Sequence, residues 1–476
     1  MKLTYDNQNI YIYNPTPMQL EKLNDISQFR MKGYKFAPKY KLGVWDGYIK
    51  FLSYSKKDGC FKLPVGFLNQ IERIYYNEKI LYKFDRRQKE ANLYRIKNLE
   101  FKRELRNYQL ECVNATRKNN SGVIKMPVRS GKTTVAAGII FDKKLRTLFI
   151  VPNVTLLNQT VNEFQDIFNI EIGKIGENIW DPKDITVATI QTVTSMFDKP
   201  KMQKIFDKTH MLIIDECHHM KAQNWSKITQ LDVEYKYGLS ATVWLEINDE
   251  NPTEMIWLRA TIGEIIYEIP YQKLIEYKQI VKPTIYFVVI KTGLKIKGWN
   301  KEFLKEVFTS PKRNEIFLDI ANSFHKNGHR VLMLTSRIDQ LEILKLESQI
   351  RGIKLKALCG EDKGELRTEI INRLNIRNFI LAGTIFGEGV NIPILDVVLN
   401  LEGGSSQIKT FQRLRNLTKI DKKKEAIVID FIDEDNKYLL TQGLNRIDQL
   451  KNEEGFEVII MDLKDFKEEF GIGDLK

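Results

Sequence analysis

Cysteine is scarce. The 476 residues hold four (Cys60, Cys112, Cys217 and Cys359), none in C-x-x-C spacing, which argues against a disulfide framework and against a structural zinc site. Long apolar runs are missing as well. No stretch of about 18 apolar residues occurs, so a membrane-spanning helix is not expected. The opening MKLTYDNQNIYIY lacks the apolar centre of a secretory signal, and a cytoplasmic location is the expectation. No internal repeat or low-complexity linker stands out, which disfavours solenoids and disordered tethers. The length is too great for one ordinary core and predicts two or three domains.

What is present is a soluble, globular balance of 43% apolar and 28% charged residues, with a net charge of +13 that is unevenly placed. Residues 1–100 hold 19 Lys and Arg against 10 Asp and Glu, leaving only +4 for the remaining 376. Residues 30–62 hold nine basic and two acidic residues. A basic module on a nearly neutral body points to a polyanion, most simply nucleic acid. Charge alone does not separate this from a solvated lysine-rich surface.

From residue 105 the texture becomes α/β. Short apolar runs occur at 122–127, 147–152, 185–190 and 211–216, and the pattern restarts at 330–336, 379–384, 396–401 and 426–431, with helix-period segments between. Continuous apolar strands between helices are what parallel sheets covered on both faces require. In TLLNQTVNEFQDIF, Leu157, Val161, Phe164 and Phe168 recur at helical spacing and predict a core-facing helix. The expected domains are 1–98, 99–275 and 276–476.

The stretch VIKMPVRSGKTTVAAGII carries the first chemistry. An apolar strand runs into Gly131-Lys132-Thr133 and then a helix-forming segment, the context a phosphate loop needs. Backbone N–H groups of Arg129, Ser130, Gly131, Lys132, Thr133 and Thr134 form the cradle. Lys132 reaches the β/γ-phosphates of ATP, and the Thr133 hydroxyl is a Mg²⁺ ligand. Eighty-three residues beyond Lys132, the strand MLII ends in Asp215 and Glu216. Carboxylates at the end of a parallel strand stand in the crevice where such sheets bind ligands. Asp215 is assigned to Mg²⁺ and Glu216 to polarising the attacking water.

These residues carry a resemblance. DECH is a D-E-x-H box, and YGLSATV supplies Ser-Ala-Thr 25 residues later. With LRNYQ, IVPNVTLLNQ and TIQT, the set resembles the first RecA-like domain of a superfamily-2 helicase. LMLTSRIDQLEIL, AGTIFGEGVNIP and FQRLRNLTK are similar to motifs IV, V and VI of the second. Ahead of them, GYKFAPKYKLGVWDGYIKFL and LPVGFLNQI resemble the DNA-binding domain of phage UvsW-type helicases, which remodel branched DNA. The implied fold class is α/β: two tandem RecA-like domains preceded by a small basic α+β DNA-binding domain. The implied activity is ATP- and Mg²⁺-dependent DNA translocation on forks, Holliday junctions or D-loops with single-stranded segments. A monomer suffices, and a phage-encoded protein would work in the bacterial host cytoplasm.

The resemblance assigns further roles. Gln109, with Arg106 and Tyr108, matches the adenine-recognition element, and His218 couples the ATP site to Ser240 and Thr242. Gly387, Gly389 and Asn391 match the fifth motif's approach to ribose and phosphate. Thr155, Thr192, Arg337 and Thr384 match positions that hold the tracking strand's phosphates, contacts without sequence information. Lys35, Lys39 and Lys41 are read as phosphate contacts. Trp45 is a stacking candidate, although Trp45 and Phe36 are read first as core side chains. Two motifs depart from the family. Val128 and Arg129 replace Thr-Gly in the phosphate loop, which predicts a remodelled turn because a residue tolerant of positive φ is lost. The sixth motif lacks Gly-Arg at its usual place, so Arg415 is the first choice for the transition-state guanidinium and Arg413 the second, with Gln412 beside them. An RNA helicase, a nuclease-system motor subunit and a non-hydrolysing DNA-binding protein remain alternatives at this point.

Overall fold

The computed structural model describes residues 2–31, 33–77, 83–86, 93–127, 129–220, 222–229, 231–241, 243, 253–294, 301–360, 362, 369–370, 373, 379–384, 395–402, 426–451 and 455–473. The chain divides into two compact units, Met1–Pro127 with Gly131–Ile269, and Pro270–Lys476 with Val128–Ser130.

The first unit is organised by an eight-stranded sheet. Its order is Ile179–Asp181, Ile172–Gly176, Ile185–Thr189, Thr147–Val151, Met211–Ile214, Tyr235–Ser240, Ser121–Lys125 and Ile265–Glu268. Every pairing is parallel except the one made by Ile179–Asp181 at the edge. The central strands Thr147–Val151, Ile185–Thr189 and Met211–Ile214 are buried along their whole length, as a sheet covered on both faces demands. Helix Val154–Ile167 starts where the Asn153 side chain accepts the Leu156 N–H at 2.9 Å. It buries Leu157, Val161 and Phe164, and Phe168 just beyond its end is buried too.

The amino-terminal residues make their own sheet, in the order Ser53–Ser55, Cys60–Pro64, Asn9–Tyr13, Lys2–Tyr5 and Lys83–Arg86. Helix Pro17–Ser27 opens with a capping box between Thr16 and Gln19 and with proline in its first turn. This module does not close its core alone. Leu3, Ile10, Ile12, Leu63, Phe67 and Ile71 pack with Ile256 and Ala260 from helix Thr253–Ile262, which follows strand Tyr235–Ser240 of the eight-stranded sheet. The Phe51 ring meets Trp257 edge-on at 5.0 Å, and buried Arg259 donates to Gln70 at 2.8 Å. Gly66 makes the approach possible, since a Cβ there would stand 2.6 Å from the Ala260 carbonyl oxygen.

The second unit repeats the architecture. Its sheet runs Leu355–Leu358, Ile380–Gly383, Val331–Leu334, Val397–Asn400, Ala426–Asp433, Pro283–Ile290 and Glu457–Asp462, with parallel pairings throughout. Two buried ion pairs sit in its core. Arg313 holds both oxygens of Asp433 at 2.9 and 3.0 Å, and Arg446 holds Asp430, which also accepts from Asn400 at 2.6 Å. The carboxyl-terminal segment, unassigned from sequence, supplies the edge strand Glu457–Asp462 and helix Leu463–Glu469. Phe466 and Phe470 from this segment pack on Tyr286 and Phe324. Among the described residues no helix is long and apolar enough to cross a membrane.

Two outcomes follow for the first unit. Gly66→Val drives a side chain into backbone and is expected to lower its stability by about 1–3 kcal/mol, read as an earlier urea transition and faster proteolysis of residues 2–77. Burial pushes the Lys236 ammonium, 3% exposed, down to about 8, against the pull of Asp232 and Asp6. The unfolded chain keeps that proton up to about 10.5. Between those values the unfolded state binds more protons, so stability rises with pH across the window. Urea midpoints at pH 7.5 and 10 are expected to show that rise in the wild type and to lose it in Lys236→Met.

Candidate nucleotide site and nucleic-acid edge

The phosphate loop begins where strand Ser121–Lys125 ends in buried Met126 and Pro127, and it feeds helix Lys132–Lys143. Gly131 precedes that helix with φ +80°, and no side chain caps it. Its first N–H groups therefore remain available to an anion at the positive end of the helix dipole. Arg129, where the family pattern has glycine, has φ +66°, in the left-handed region that favours glycine. The expected remodelling does not occur at this residue. Arg129 instead adopts the left-handed geometry, at a cost of about 1–2 kcal/mol relative to an ordinary backbone well.

Gln109 braces the loop from below. Its side-chain nitrogen stands 2.5 Å from where a Cβ on Gly131 would lie. Its Oε1 accepts the Arg106 N–H at 3.0 Å, and Arg106 in turn donates to the Tyr108 hydroxyl at 3.0 Å. The three residues assigned to adenine recognition are thus neighbours, and Gln109 reaches the phosphate loop itself. Thr134 turns its hydroxyl to Glu163 at 3.4 Å and Arg103 at 3.5 Å, so it offers the cradle only its backbone.

Strand Met211–Ile214 delivers the acids. The Asp215 N–H donates to the Ile150 carbonyl at 2.8 Å, and its Oδ1 accepts the Glu216 N–H at 3.0 Å. Glu216 has φ +46°, a second strained non-glycine residue at this site. That turn aims its carboxylate at the loop, with Oε1 3.4 Å from the Lys132 ammonium. On the far side its Oε2 lies 3.5 Å from His218 Nδ1, and that nitrogen shares a 2.6 Å hydrogen bond with Ser240 Oγ. The expected link from the acid to Ser240 is therefore present, while Thr242 lies outside the described residues. Burial, reinforced by the charges of Glu216 and Asp215, pushes the Cys217 thiol well above its usual range, so it is no nucleophile.

The donor set suits Mg²⁺. Among the described residues no three His, Cys, Asp or Glu gather as a metal cage. Asp215 and the Thr133 hydroxyl are hard oxygen donors, and a Mg²⁺ site that uses one carboxylate, waters and substrate phosphates needs no more.

Thr155 and Thr192 stand on the carboxyl edge of that same eight-stranded sheet. Thr155 is exposed in the first turn of Val154–Ile167, after strand Thr147–Val151. Thr192 follows the neighbouring strand Ile185–Thr189 and bonds Thr189 Oγ1 at 2.8 Å. Gln191, overlooked in the sequence, ties the two loops by donating to the Pro152 carbonyl at 2.7 Å. In the second unit, Arg337 and Thr384 follow the adjacent strands Val331–Leu334 and Ile380–Gly383. In the amino-terminal module Lys35, Lys39 and Lys41 are exposed, and half-buried Trp45 donates to the Tyr48 carbonyl at 2.8 Å. Phe36 contradicts its reading as a core side chain, being 80% exposed. Gly387, Gly389, Asn391, Gln412, Arg413 and Arg415 lie outside the described residues.

The strain at position 129 sets an expectation for nucleotide kinetics. Arg129→Gly is expected to hold the KM for ATP within about threefold, because glycine adopts positive φ freely. Arg129→Val is expected to raise it at least about tenfold, since a β-branched residue resists that conformation. Steady-state ATP hydrolysis measures both.

Three family models match the chain in order. DNA helicase UvsW, N-terminal, matches residues 5–85, the res subunit of type III restriction enzymes matches 102–244, and the helicase conserved C-terminal domain matches 312–415. The chain is 25% identical over 490 residues to the ATP-dependent DNA helicase uvsW of Enterobacteria phage T4, covering 91% of this chain and 93% of that one. It is 26% identical over 375 residues to the DNA 3'-5' translocase XPB2 of Sulfurisphaera tokodaii, covering 69% and 81%. In fold it is similar to a putative HsdR subunit fragment of a type I restriction enzyme from Vibrio vulnificus YJ016, with TM-score 0.56 at 16% identity over 76% of this chain and 70% of that one. With a UvsW amino-terminal module ahead of both helicase halves, and a phage helicase relative matched along nearly its whole length, this chain is a UvsW-type superfamily-2 ATP-dependent DNA helicase.

Proposed function

We propose that the chain uses ATP hydrolysis to move branch points in DNA: forks, Holliday junctions or D-loops with single-stranded segments. The observation that carries this reading is the common core of the basic amino-terminal module and helix Thr253–Ile262. Lysines on that module hold a duplex arm by its phosphates, and the motor to which it is fused advances on a strand. A motor that pulls DNA while gripping another arm of the same molecule shifts the branch between them. The T4 relative is named a DNA helicase, and the archaeal relative a DNA translocase, which favours DNA over RNA.

Within the motor, Lys132 and the N–H groups at the start of helix Lys132–Lys143 bind the ATP phosphates, while Thr133 and Asp215 hold Mg²⁺. Bound Mg²⁺ supplies charge neutralisation on the phosphates. Glu216 orients the attacking water, and its 3.4 Å contact with Lys132 gives way as Lys132 turns to phosphate. His218, bonded to Ser240, fixes the Glu216 carboxylate from behind. Gln109, Arg106 and Tyr108 bound the nucleotide, and the family resemblance assigns Gly387, Gly389, Asn391 and Gln412 to nucleotide contact as well. Arg415, or in second place Arg413, supplies the guanidinium for the transferring phosphoryl group. Thr155, Thr192, Arg337 and Thr384 hold backbone phosphates, so translocation is expected to be sequence-tolerant.

Steady-state hydrolysis without DNA and with single strand, linear duplex or a three-way fork tests this. Turnover is expected to be highest with the fork and to fall by at least about 100-fold in Glu216→Gln. Lys132→Ala is expected to abolish turnover and keep fork binding. Hydrolysis that is equal with every DNA and indifferent to Glu216→Gln would overturn the reading.

A further inference from the structure

Residues 33–48 of the amino-terminal module expose three large apolar side chains in one short stretch. Phe36 is 80% exposed, Leu42 76% and Val44 72%. Lys35, Lys39 and Lys41 are interleaved with them, all exposed. The backbone beneath is fixed. The Gly43 N–H donates to the Tyr40 carbonyl at 2.9 Å and the Val44 N–H to the Lys39 carbonyl at 3.1 Å. The left-handed Gly33, Gly43 and Gly47, at φ +73°, +70° and +85°, bend the chain around the stretch. Tyr34 is buried under it, edge-on to Tyr40 at 4.7 Å, with the Arg30 guanidinium 5.0 Å from its ring centre. Gly47 leaves room for that ring, because a Cβ there would stand 2.6 Å from Tyr34 Cδ2. The acid on the stretch, Asp46, is paired with Lys50 at 2.5 Å, which holds its carboxyl below the usual carboxylate value.

A well-supported turn that presents phenylalanine, leucine and valine to water has a partner surface as its simplest explanation. The interleaved lysines say that the partner is anionic. A nucleic acid offers stacked apolar faces beside phosphates, but in an intact duplex those faces are covered. They are open where strands separate. We infer that Phe36, Leu42 and Val44 form a wedge that packs on the exposed base pair or unstacked bases at a DNA branch point, while Lys35, Lys39 and Lys41 grip the flanking phosphates. This rests on the branched-DNA reading above. It gives the wedge the strand-parting contact and the lysines most of the affinity, as base–aromatic stacking and counterion release divide them.

A fork carrying 2-aminopurine at the branch, bound by the full-length protein, tests the wedge. Unstacking raises the fluorescence of this base, and several-fold enhancement is expected with the wild type on the fork and none on a linear duplex. The variant Phe36→Ala/Leu42→Ala/Val44→Ala is expected to lose most of the enhancement, while its fork Kd weakens less than about tenfold and its salt dependence is unchanged. Lys35→Ala/Lys39→Ala/Lys41→Ala is expected to weaken binding and lower the slope of log Kd against log salt by up to about 3, roughly one per phosphate contact. Circular dichroism and melting confirm that both variants fold, and Phe36→Leu is expected to keep an intermediate signal. Full enhancement in the apolar triple variant, or equal enhancement on linear duplex, would overturn the wedge. So would co-sedimentation with anionic phosphatidylserine vesicles that depends on Phe36, combined with an unchanged fork signal, which would assign the surface to a membrane. Wild-type hydrolysis stimulated by the fork alongside an unaltered 2-aminopurine signal in the variant removes the wedge alone, whereas absent stimulation removes the branched-DNA reading beneath it.

Discussion

A parallel sheet covered by helices on both faces leaves one place for chemistry, the carboxyl ends of its strands. The assignments that fall on the described strand ends obey that constraint. The phosphate loop follows Ser121–Lys125, the acids follow Met211–Ile214, and Thr155 and Thr192 follow the next two strands. Along that edge the candidate nucleotide residues follow Ser121–Lys125 and Met211–Ile214, and the candidate nucleic-acid residues follow Thr147–Val151 and Ile185–Thr189, with Thr147–Val151 paired to both Met211–Ile214 and Ile185–Thr189. The second unit has Arg337 and Thr384 on the same kind of edge. The site is held by strained backbone as well as by pairing. Arg129 and Glu216 both occupy the left-handed region, and the Glu216 carboxylate faces the Lys132 ammonium.

The amino-terminal module is built into this motor rather than strung ahead of it. Its apolar residues find their last neighbours on helix Thr253–Ile262, and Gly66 lies against that helix's backbone. The same helix ends near the acids: a Cβ on Gly238 would touch both Cys217 Sγ at 3.0 Å and Ile262 Cδ1 at 3.2 Å. Packed atoms thus run from Glu216 through Cys217, Gly238 and Ile262 to the amino-terminal module. Close-packed contacts of this kind transmit displacement, because interiors do not compress to absorb it.

Much of this was legible in the sequence, and the failures have physical causes. All eight apolar runs became strands, since burial on both faces leaves a strand little choice of residue. Tyr235–Ser240 was hidden as a strand because it carries buried Lys236, a close-packed Gly238 and buried Ser240 in place of aliphatics. Lys132, Asp215 and Glu216 lie together as their spacing and strand context implied, and Gln109 and His218 join them as the family resemblance implied. At Arg129 the sequence was silent on one point, because a missing glycine does not reveal that arginine adopts a positive φ there. Phe36 was misjudged because aromatic residues usually mean core, and only the fold shows that Tyr34 takes the inside place. The buried pairs of Arg313 with Asp433 and Arg446 with Asp430 gave no local signal, since each partner is at least 16 residues from the other.

The most direct measurement is of movement itself: conversion of a synthetic mobile Holliday junction into duplex products, followed by gel under ATP and Mg²⁺. The account expects products to accumulate only with hydrolysable ATP, and faster from a junction than strand separation of a plain duplex of equal length. Sustained ATP hydrolysis with the junction left intact would contradict it, leaving an ATPase that grips branched DNA without moving the branch.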